Sequence, residues 1–196
     1  MHLVSVLGSP RPQGNTATVL SIAEAAWSAT CSLERINLRD YRVNGCLGCG
    51  CCQQVPGEPG CVQPDDAPAL LQRLLAADAV IYATPLYCWG FSAQLKAFID
   101  RHFCLVTEAG GPAWKSLVEG KPMALLVTCA GPEAGNADLI QVVFDRIGQY
   151  LKGRIVGKYV VPFRTSPDRL GADARAVAER LAADLARLAA AGSMRP

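Results

Sequence analysis

A chain of 196 residues, about half of them hydrophobic (51%), is long enough for one domain with a core of several layers. A formal net charge of +2 without a basic run argues against nucleic acid as the main partner. No apolar run approaches the ~20 residues of a membrane span and the N-terminus has no signal-peptide pattern, so a cytoplasmic protein is expected. In that setting nine cysteines point to metal or redox chemistry rather than to a disulfide framework.

The first apolar run, His2 to Leu7, ends in Gly8-Ser9 and predicts a strand buried on both faces. After a loop of Pro, Arg, Gln and Gly, a helical period begins at Asn15-Thr16, with Val19, Ile22, Ala23, Ala26 and Trp27 on one face. Ser32 to Leu38 predicts a second strand. Residues 39 to 64 form a long irregular excursion, with a cysteine-rich insertion at about 44–64, and such a loop in a compact domain is usually functional. Asp65-Asp66 then reads as the cap of a helix with Pro68 in its first turn. Ala79 to Ala83 is a third buried strand, followed by Thr84 to Gly90 and a helix from about Ser92 to Phe103. Lys121-Pro122 leads into a fourth strand, Met123 to Thr128. A helix over about 136–151, a strand from Ile155 to Val161 and a last helix from Ala172 to Ala191 complete the chain. Strands alternating with helices imply an α/β fold, a five-stranded parallel sheet covered on both faces. Ligands of such sheets bind beyond the carboxyl ends of the strands, where the loops after strands one, three and four converge.

The first of these loops has the anatomy of an anion site: strand, glycine-bounded turn, helix N-terminus with unpaired N–H groups. Gly14 is followed by Asn15-Thr16 rather than by Lys, which argues against a Walker loop with nucleotide triphosphate. Gly8 to Gly14 does not supply G-x-G-x-x-G. Ser9, the Asn15 side chain, Thr16, Thr18 and the amides of Arg11 and of Gln13 to Thr16 instead suit one terminal phosphate, as in FMN. An ordinary capped strand-to-helix turn is the competing reading. In the loop after strand three, Tyr87, Trp89 and Phe91 suit the face of a flat heteroaromatic ring, with neighbouring amides addressing its polar edge. Covering the sheet end or a second subunit is the alternative.

Cys46-x-x-Cys49-x-x-Cys52, with Cys61 beyond it, matches a run that wraps a cubane cluster and takes a more distant fourth ligand. Structural zinc more often uses two separated C-x₂-C knuckles, and Cys51 is a spare thiol. Cys31 and Cys104 read as small buried hydrophobes. His2 and His102 belong to no triad-like constellation. Lys96 and Asp100, with Arg101 beside them, read as a helix-face or interface salt bridge.

GSPRPQGNT (8–16), ATPLYCWGFSAQLKAFIDR (83–101) and the loop closing on CVQPDD (61–66) resemble the flavodoxin-like NAD(P)H-dependent FMN reductases, one branch of which is the iron–sulfur flavoproteins. The resemblance runs in order from about residue 2 to 165. It implies a five-stranded flavodoxin-like fold with FMN near a subunit interface, and hence a homodimer or higher homo-oligomer. Ser9, Arg11, Gly14, Asn15 and Thr16 correspond to the phosphate loop. Pro85, Leu86, Tyr87, Cys88, Trp89 and Gly90 correspond to the ring loop, and Thr128, Cys129, Ala130 and Gly131 to a third flavin loop. The iron–sulfur branch implies a 4Fe–4S cluster on Cys46, Cys49, Cys52 and Cys61.

The expected activity is that of an FMN-dependent oxidoreductase with no catalytic side chain, because the flavin ring itself takes the hydride. NAD(P)H or a ferredoxin-like protein would be the donor, and a small molecule or protein the acceptor. Two alternatives stand beside it: an iron–sulfur flavoprotein passing single electrons between cluster and FMN, and a non-catalytic flavodoxin-like module with structural zinc.

Overall fold

Five strands carry the frame: β1 (His2–Leu7), β2 (Ser32–Asn37), β3 (Ala79–Pro85), β4 (Pro122–Thr128) and β5 (Arg154–Val161). They pair in parallel in the order β2-β1-β3-β4-β5. This is the flavodoxin-like order, with its switch point between β1 and β3. The computed structural model describes residues 1–27, 31–55, 57–108, 111 and 113–192. Pro56 of the cysteine-loop spacer and the last four residues of the expected domain lie outside them.

Side-chain alternation along the inner strands divides the interior into two cores. Leu3, Leu7, Ile81 and Leu126 pack with Val19, Leu20, Ala23 and Trp27 of α1 (Asn15–Trp27) and with Ala178, Leu181 and Leu185 of α5 (Ala172–Gly192). Val4, Val6, Val80, Tyr82, Leu125 and Val127 face the other way. They meet Leu70, Leu71 and Leu74 of α2 (Ala67–Ala76), Leu95 and Phe98 of α3 (Ala93–Asp100) and Phe144 of α4 (Asp138–Tyr150). Each fully buried Val, Leu, Ile or Phe side chain among them contributes about 1.5–3 kcal/mol relative to exposure. Among the described residues no helix is long and apolar enough to cross a membrane.

Some sequence expectations shift by a residue or a face. The buried side of α1 includes Leu20 and Glu24 while Ala26 is exposed. Glu24 can be buried because Ser5 Oγ donates to it (2.6 Å) and Arg35 pairs with it. Asp66 does not cap α2 with its side chain. It accepts the Arg42 N–H instead (2.7 Å), while Asp65 takes the Ala67 N–H (3.1 Å). The helix expected to reach Phe103 ends at Asp100 and tightens into a 3₁₀ turn, Arg101–Leu105. A two-residue antiparallel ladder, Val106–Thr107 with Lys115–Ser116, was not foreseen.

What positions the site is the meeting of β1, β3 and α3. The N-cap Ser92 side chain accepts from Leu95 N–H (3.3 Å) and donates to Gly8 O (2.6 Å), and the Ser92 N–H donates to Thr84 Oγ1 (3.1 Å). This approach is possible because residue 8 has no side chain: a Cβ there would lie 2.6 Å from Leu95 Cβ and 2.8 Å from Ser92 Oγ. Gly8→Ala is therefore expected to destabilise the fold by about 1–3 kcal/mol through overpacking. The lowered urea midpoint at unchanged m-value measures it.

Candidate functional site at the carboxyl edge of the sheet

At the carboxyl edge the main-chain ladder continues past the strands. Gly8 N–H reaches Ala83 O (2.8 Å), Leu86 N–H reaches Thr128 O (2.8 Å) and Cys129 N–H reaches Val161 O (3.1 Å). The loops after β1, β3 and β4 are thereby fixed side by side, and a cleft of about 300 Å³ opens between them. That is within the usual range for a small-molecule site.

All five expected phosphate-loop residues, Ser9, Arg11, Gly14, Asn15 and Thr16, line this cleft. Ser9 Oγ is turned onto its own loop, accepting Arg11 N–H and donating to Arg11 O (both 3.1 Å). Thr18, whose hydroxyl was a candidate donor, bonds back to Gly14 O (3.1 Å) and is not at the cleft. The first helical bond of α1 is Thr18 N–H to Gly14 O (3.0 Å), so the amides of residues 15 to 17 precede the helical ladder. Asn15 Oδ1 is buried there without a hydrogen-bond partner. Buried polar atoms are paired in the great majority of cases, so this side chain has hydrogen-bonding capacity that the chain itself does not use.

Thr16 and Thr128 share a buried hydroxyl–hydroxyl bond (2.7 Å) that ties the start of α1 to the end of β4. Two hydroxyls carry two protons and one bond between them uses one; the other remains to donate.

Pro85, Leu86 and Tyr87 line the second side, and Thr128, Cys129 and Ala130 the third. Cys88, Trp89, Gly90 and Gly131 are not part of the lining. Tyr87 and Gly90 exchange both main-chain bonds (3.2 and 3.0 Å), closing a tight turn whose central residues, Cys88 (φ 46) and Trp89 (φ 60), are left-handed. Of the loop amides expected to address a ring edge, those of Leu86 and Tyr87 are engaged within the protein. Cys129 turns its thiol to Gly131 O (3.4 Å), and burial pushes that thiol upward in pKa. The sequence reading missed Arg164 and Thr165, which complete the lining. Arg164 is held by Asp173 and by its own N–H on Cys129 O (2.8 Å). The signal was available: PFRTSP follows a strand of the same parallel sheet and emerges at the same edge.

The cysteine loop leaves the carboxyl end of β2, beside this cleft. Cys46 and Cys49 are exposed, Cys61 half-buried and Cys52 buried. Among the described residues no group of three Cys, His, Asp or Glu side chains is arranged to hold a metal ion. Burial pushes the Cys52 thiol up, and Cys104 to about 12. Arg101, read from the sequence only as standing beside a helix-face or interface salt bridge, is buried. Its guanidinium donates to Asp65 Oδ2 (2.7 Å), Asn44 O (3.1 Å) and Cys61 Sγ (2.9 Å). Lys96 and Asp100 do form the exposed pair (2.6 Å). His102 packs edge-on to Tyr82 and Phe98, and burial lowers its pKa to about 3, so it stays neutral.

A parallel sheet in this order with a polar, helix-capped cleft at its switch point defines the class, a flavodoxin-like protein. More particularly, the chain belongs to the NADPH-dependent FMN reductase family, whose sequence model matches residues 1–161, and it is an oxidoreductase of that family. It is 32% identical over 189 residues to an iron-sulfur flavoprotein of Archaeoglobus fulgidus, covering 95% of this chain and 79% of that one. With the iron-sulfur flavoprotein of Methanosarcina thermophila it shares 31% identity over 157 residues, 80% of this chain and 76% of that one. Among solved structures, the FMN-dependent NADH-azoreductase of Bacillus anthracis in complex with FMN has the same fold. Its TM-score is 0.71 at 14% identity, over 95% of this chain and all (100%) of that one.

The threonine pair gives a direct test of how the site is held. Thr16→Val or Thr128→Val alone leaves a buried hydroxyl unpaired and should cost about 1–3 kcal/mol in chemical unfolding. The double variant should cost less than the sum, as a double-mutant cycle will read.

Proposed function

We propose that the cleft is the FMN site of an NAD(P)H-oxidising enzyme. The phosphate would be held by the amides of residues 15 to 17, the Asn15 side chain and the free proton of the Thr16–Thr128 pair, with Arg11 and Arg164 supplying positive charge. The ring would rest against Pro85, Leu86 and Tyr87, with the 128–130 loop on its other border. The single observation carrying this reading is Asn15 Oδ1, buried and unpartnered on a residue that lines the cleft at the N-terminus of a 13-residue helix. A half-turn of that amide presents its NH₂ to an anion, where the helix end already favours negative charge. When bound, FMN supplies hydride acceptance and the return of electrons singly or in pairs. The chain's own residues bind, orient and cover; no side chain of the cleft is asked to act as acid or base. The acceptor is a small molecule or a protein.

A second reading concerns the cysteine loop, and the donor set favours it. We propose that Cys46, Cys49, Cys52 and Cys61 hold a 4Fe–4S cluster, which when bound supplies one-electron exchange, with a ferredoxin-like protein as the partner it suits. Four thiols at this spacing match cubane ligation. Gly48 (φ 64) and Gly50 (φ 73) give the backbone between them the left-handed turns that wrapping requires. Closing the set requires the exposed Cys46 and Cys49 to turn in towards Cys52 and Cys61. The names of the two archaeal relatives support the same reading.

Protein purified without oxygen should show flavin bands together with a broad iron–sulfur shoulder and should oxidise NAD(P)H with an artificial acceptor. A colourless chain that refuses added FMN overturns the first reading, and zinc without flavin would make the protein a structural module. Asn15→Ala removes a hydrogen bond to a charged group, worth about 1.5–3 kcal/mol. It should raise the FMN dissociation constant about 10- to 100-fold in a fluorescence titration. Cys49→Ala should abolish iron binding in metal analysis and leave FMN content unchanged.

A further inference from the structure

After Trp27, Arg101 is the largest fully buried side chain among the described residues, 1% exposed, and the flavin reading makes no use of it. It stands directly after α3, with its guanidinium beneath the cysteine loop. Nη1 bonds to the start of that loop at Asn44 O and to its end at Asp65 Oδ2, and Nη2 bonds to the sulfur of Cys61. The same Asp65 oxygen accepts the Asn44 N–H (2.8 Å), so both ends of the segment converge on one ion pair whose side chains have no exposure (0%/0%). The Arg101 Nε–H is buried without a partner. Desolvating a cation costs several kcal/mol, which one carboxylate repays only where further acceptors take up the remaining N–H groups. Among the acceptors this guanidinium uses is a cysteine sulfur of the expected ligand set, the Cys61 Sγ at 2.9 Å.

We propose that Arg101 is a positioning residue of the cysteine site: it keeps Cys61 turned inward as the fourth cluster ligand and, through its N–H on that sulfur, raises the reduction potential of the cluster, with Asp65 acting in the opposite sense. The proposal rests on the reading of the four cysteines as cluster ligands. Hydrogen bonds to ligating sulfur and the net charge around it are two of the levers that set iron–sulfur potentials. A donor on sulfur stabilises the more electron-rich, reduced state, and does so more strongly away from water. Asp65 draws on the same guanidinium and adds a negative charge behind it. Lysine cannot replace the fork: a single ammonium keeps the charge but cannot span Asn44, Asp65 and Cys61 together.

The test uses the full chain and the variants Arg101→Lys and Asp65→Asn, reconstituted without oxygen with ferrous iron and sulfide. Iron per chain, FMN content and the midpoint potential of the cluster are measured, the last by spectroscopically monitored redox titration. FMN content should be unchanged. The potential should fall in Arg101→Lys and rise in Asp65→Asn. A merely architectural Arg101 gives less iron at an unmoved potential, and that result, or shifts of the same sign in both variants, overturns the proposal. If Arg101→Lys does not fold, Asp65→Asn decides alone: a potential unmoved or lowered refutes it. An unaltered chain that takes up no cluster refutes the cluster reading itself, and this proposal with it, and is told apart by the iron analysis before any potential is read.

Discussion

Where β1 ends, the missing side chain of Gly8 lets the first turn of α3 descend onto the strand, Leu95 and Ser92 occupying the space a Cβ would fill. Ser92 then bonds to Gly8 O and to Thr84 Oγ1, so the ends of two neighbouring strands and the start of a helix are locked at one point. The other features of the cleft depend on that lock. The loop after β1 must turn away sharply, which brings the N-terminus of α1 to the edge. The loop after β3 is held beside it, and Thr16 comes close enough to Thr128 to share a proton. Much of this site is made of main chain and short hydroxyls. Such groups lose little side-chain entropy on ordering, so the cleft is formed before anything binds in it.

The cysteine loop is built on the opposite plan. It is tied at its base, by Arg101, Asp65 and Asn44, and at one side by Gln53, whose amide bonds to Phe103 O (3.0 Å) and Val106 O (2.8 Å). Burial raises the Asp65 carboxyl, but the Arg101, Asn44 and Ala67 donors outweigh it and hold the group below the ordinary carboxylate range. The buried pair therefore stays ionised at neutral pH. An ion pair in that place is weak evidence for stability; what it does specify is where the loop begins and ends. Between those points the thiols of Cys46 and Cys49 are exposed, with glycines in the left-handed region on either side of Cys49.

The sheet was legible in the sequence because its central strands are buried on both faces and so read as uninterrupted apolar runs. Parallel pairing then assigned every loop after a strand to one edge. The same rule applied to β5 would have added Arg164 and Thr165, but the residues there, unlike GSPRPQGNT, match no familiar motif. The burial of Arg101 was missed for a physical reason: Lys96, Asp100 and Arg101 look alike as a string of charges. Only the end of α3 at Asp100 and the tightening into a 3₁₀ turn point the third of them inward. Asp65 does take the local Ala67 N–H expected of a cap, but its other partners, Asn44 and Arg101, and the Arg42 N–H that Asp66 accepts are distant in sequence and were not legible. Long-range partners of charged side chains are the part of a fold that periodicity does not encode.

The turn at the lip of the cleft carries a different kind of information. Two successive left-handed residues closed by paired main-chain bonds make a turn of the type that normally asks for Asn-Gly, yet here the positions are Cys88 and Trp89, and the glycine falls one place later. A side chain in that conformation costs about 1–2 kcal/mol. The local sequence therefore does not choose this shape; the surrounding bonds impose it, Leu86 on Thr128 before it and Ser92 on Thr84 after it. Moving the glycine to position 89 would relax the backbone and remove the indole that now stands 60% exposed beside the cleft. Strain retained in this way collects at binding and catalytic sites. At this edge of the sheet it holds an aromatic side chain out beside the opening, while the amides of Leu86 and Tyr87 stay committed to the frame.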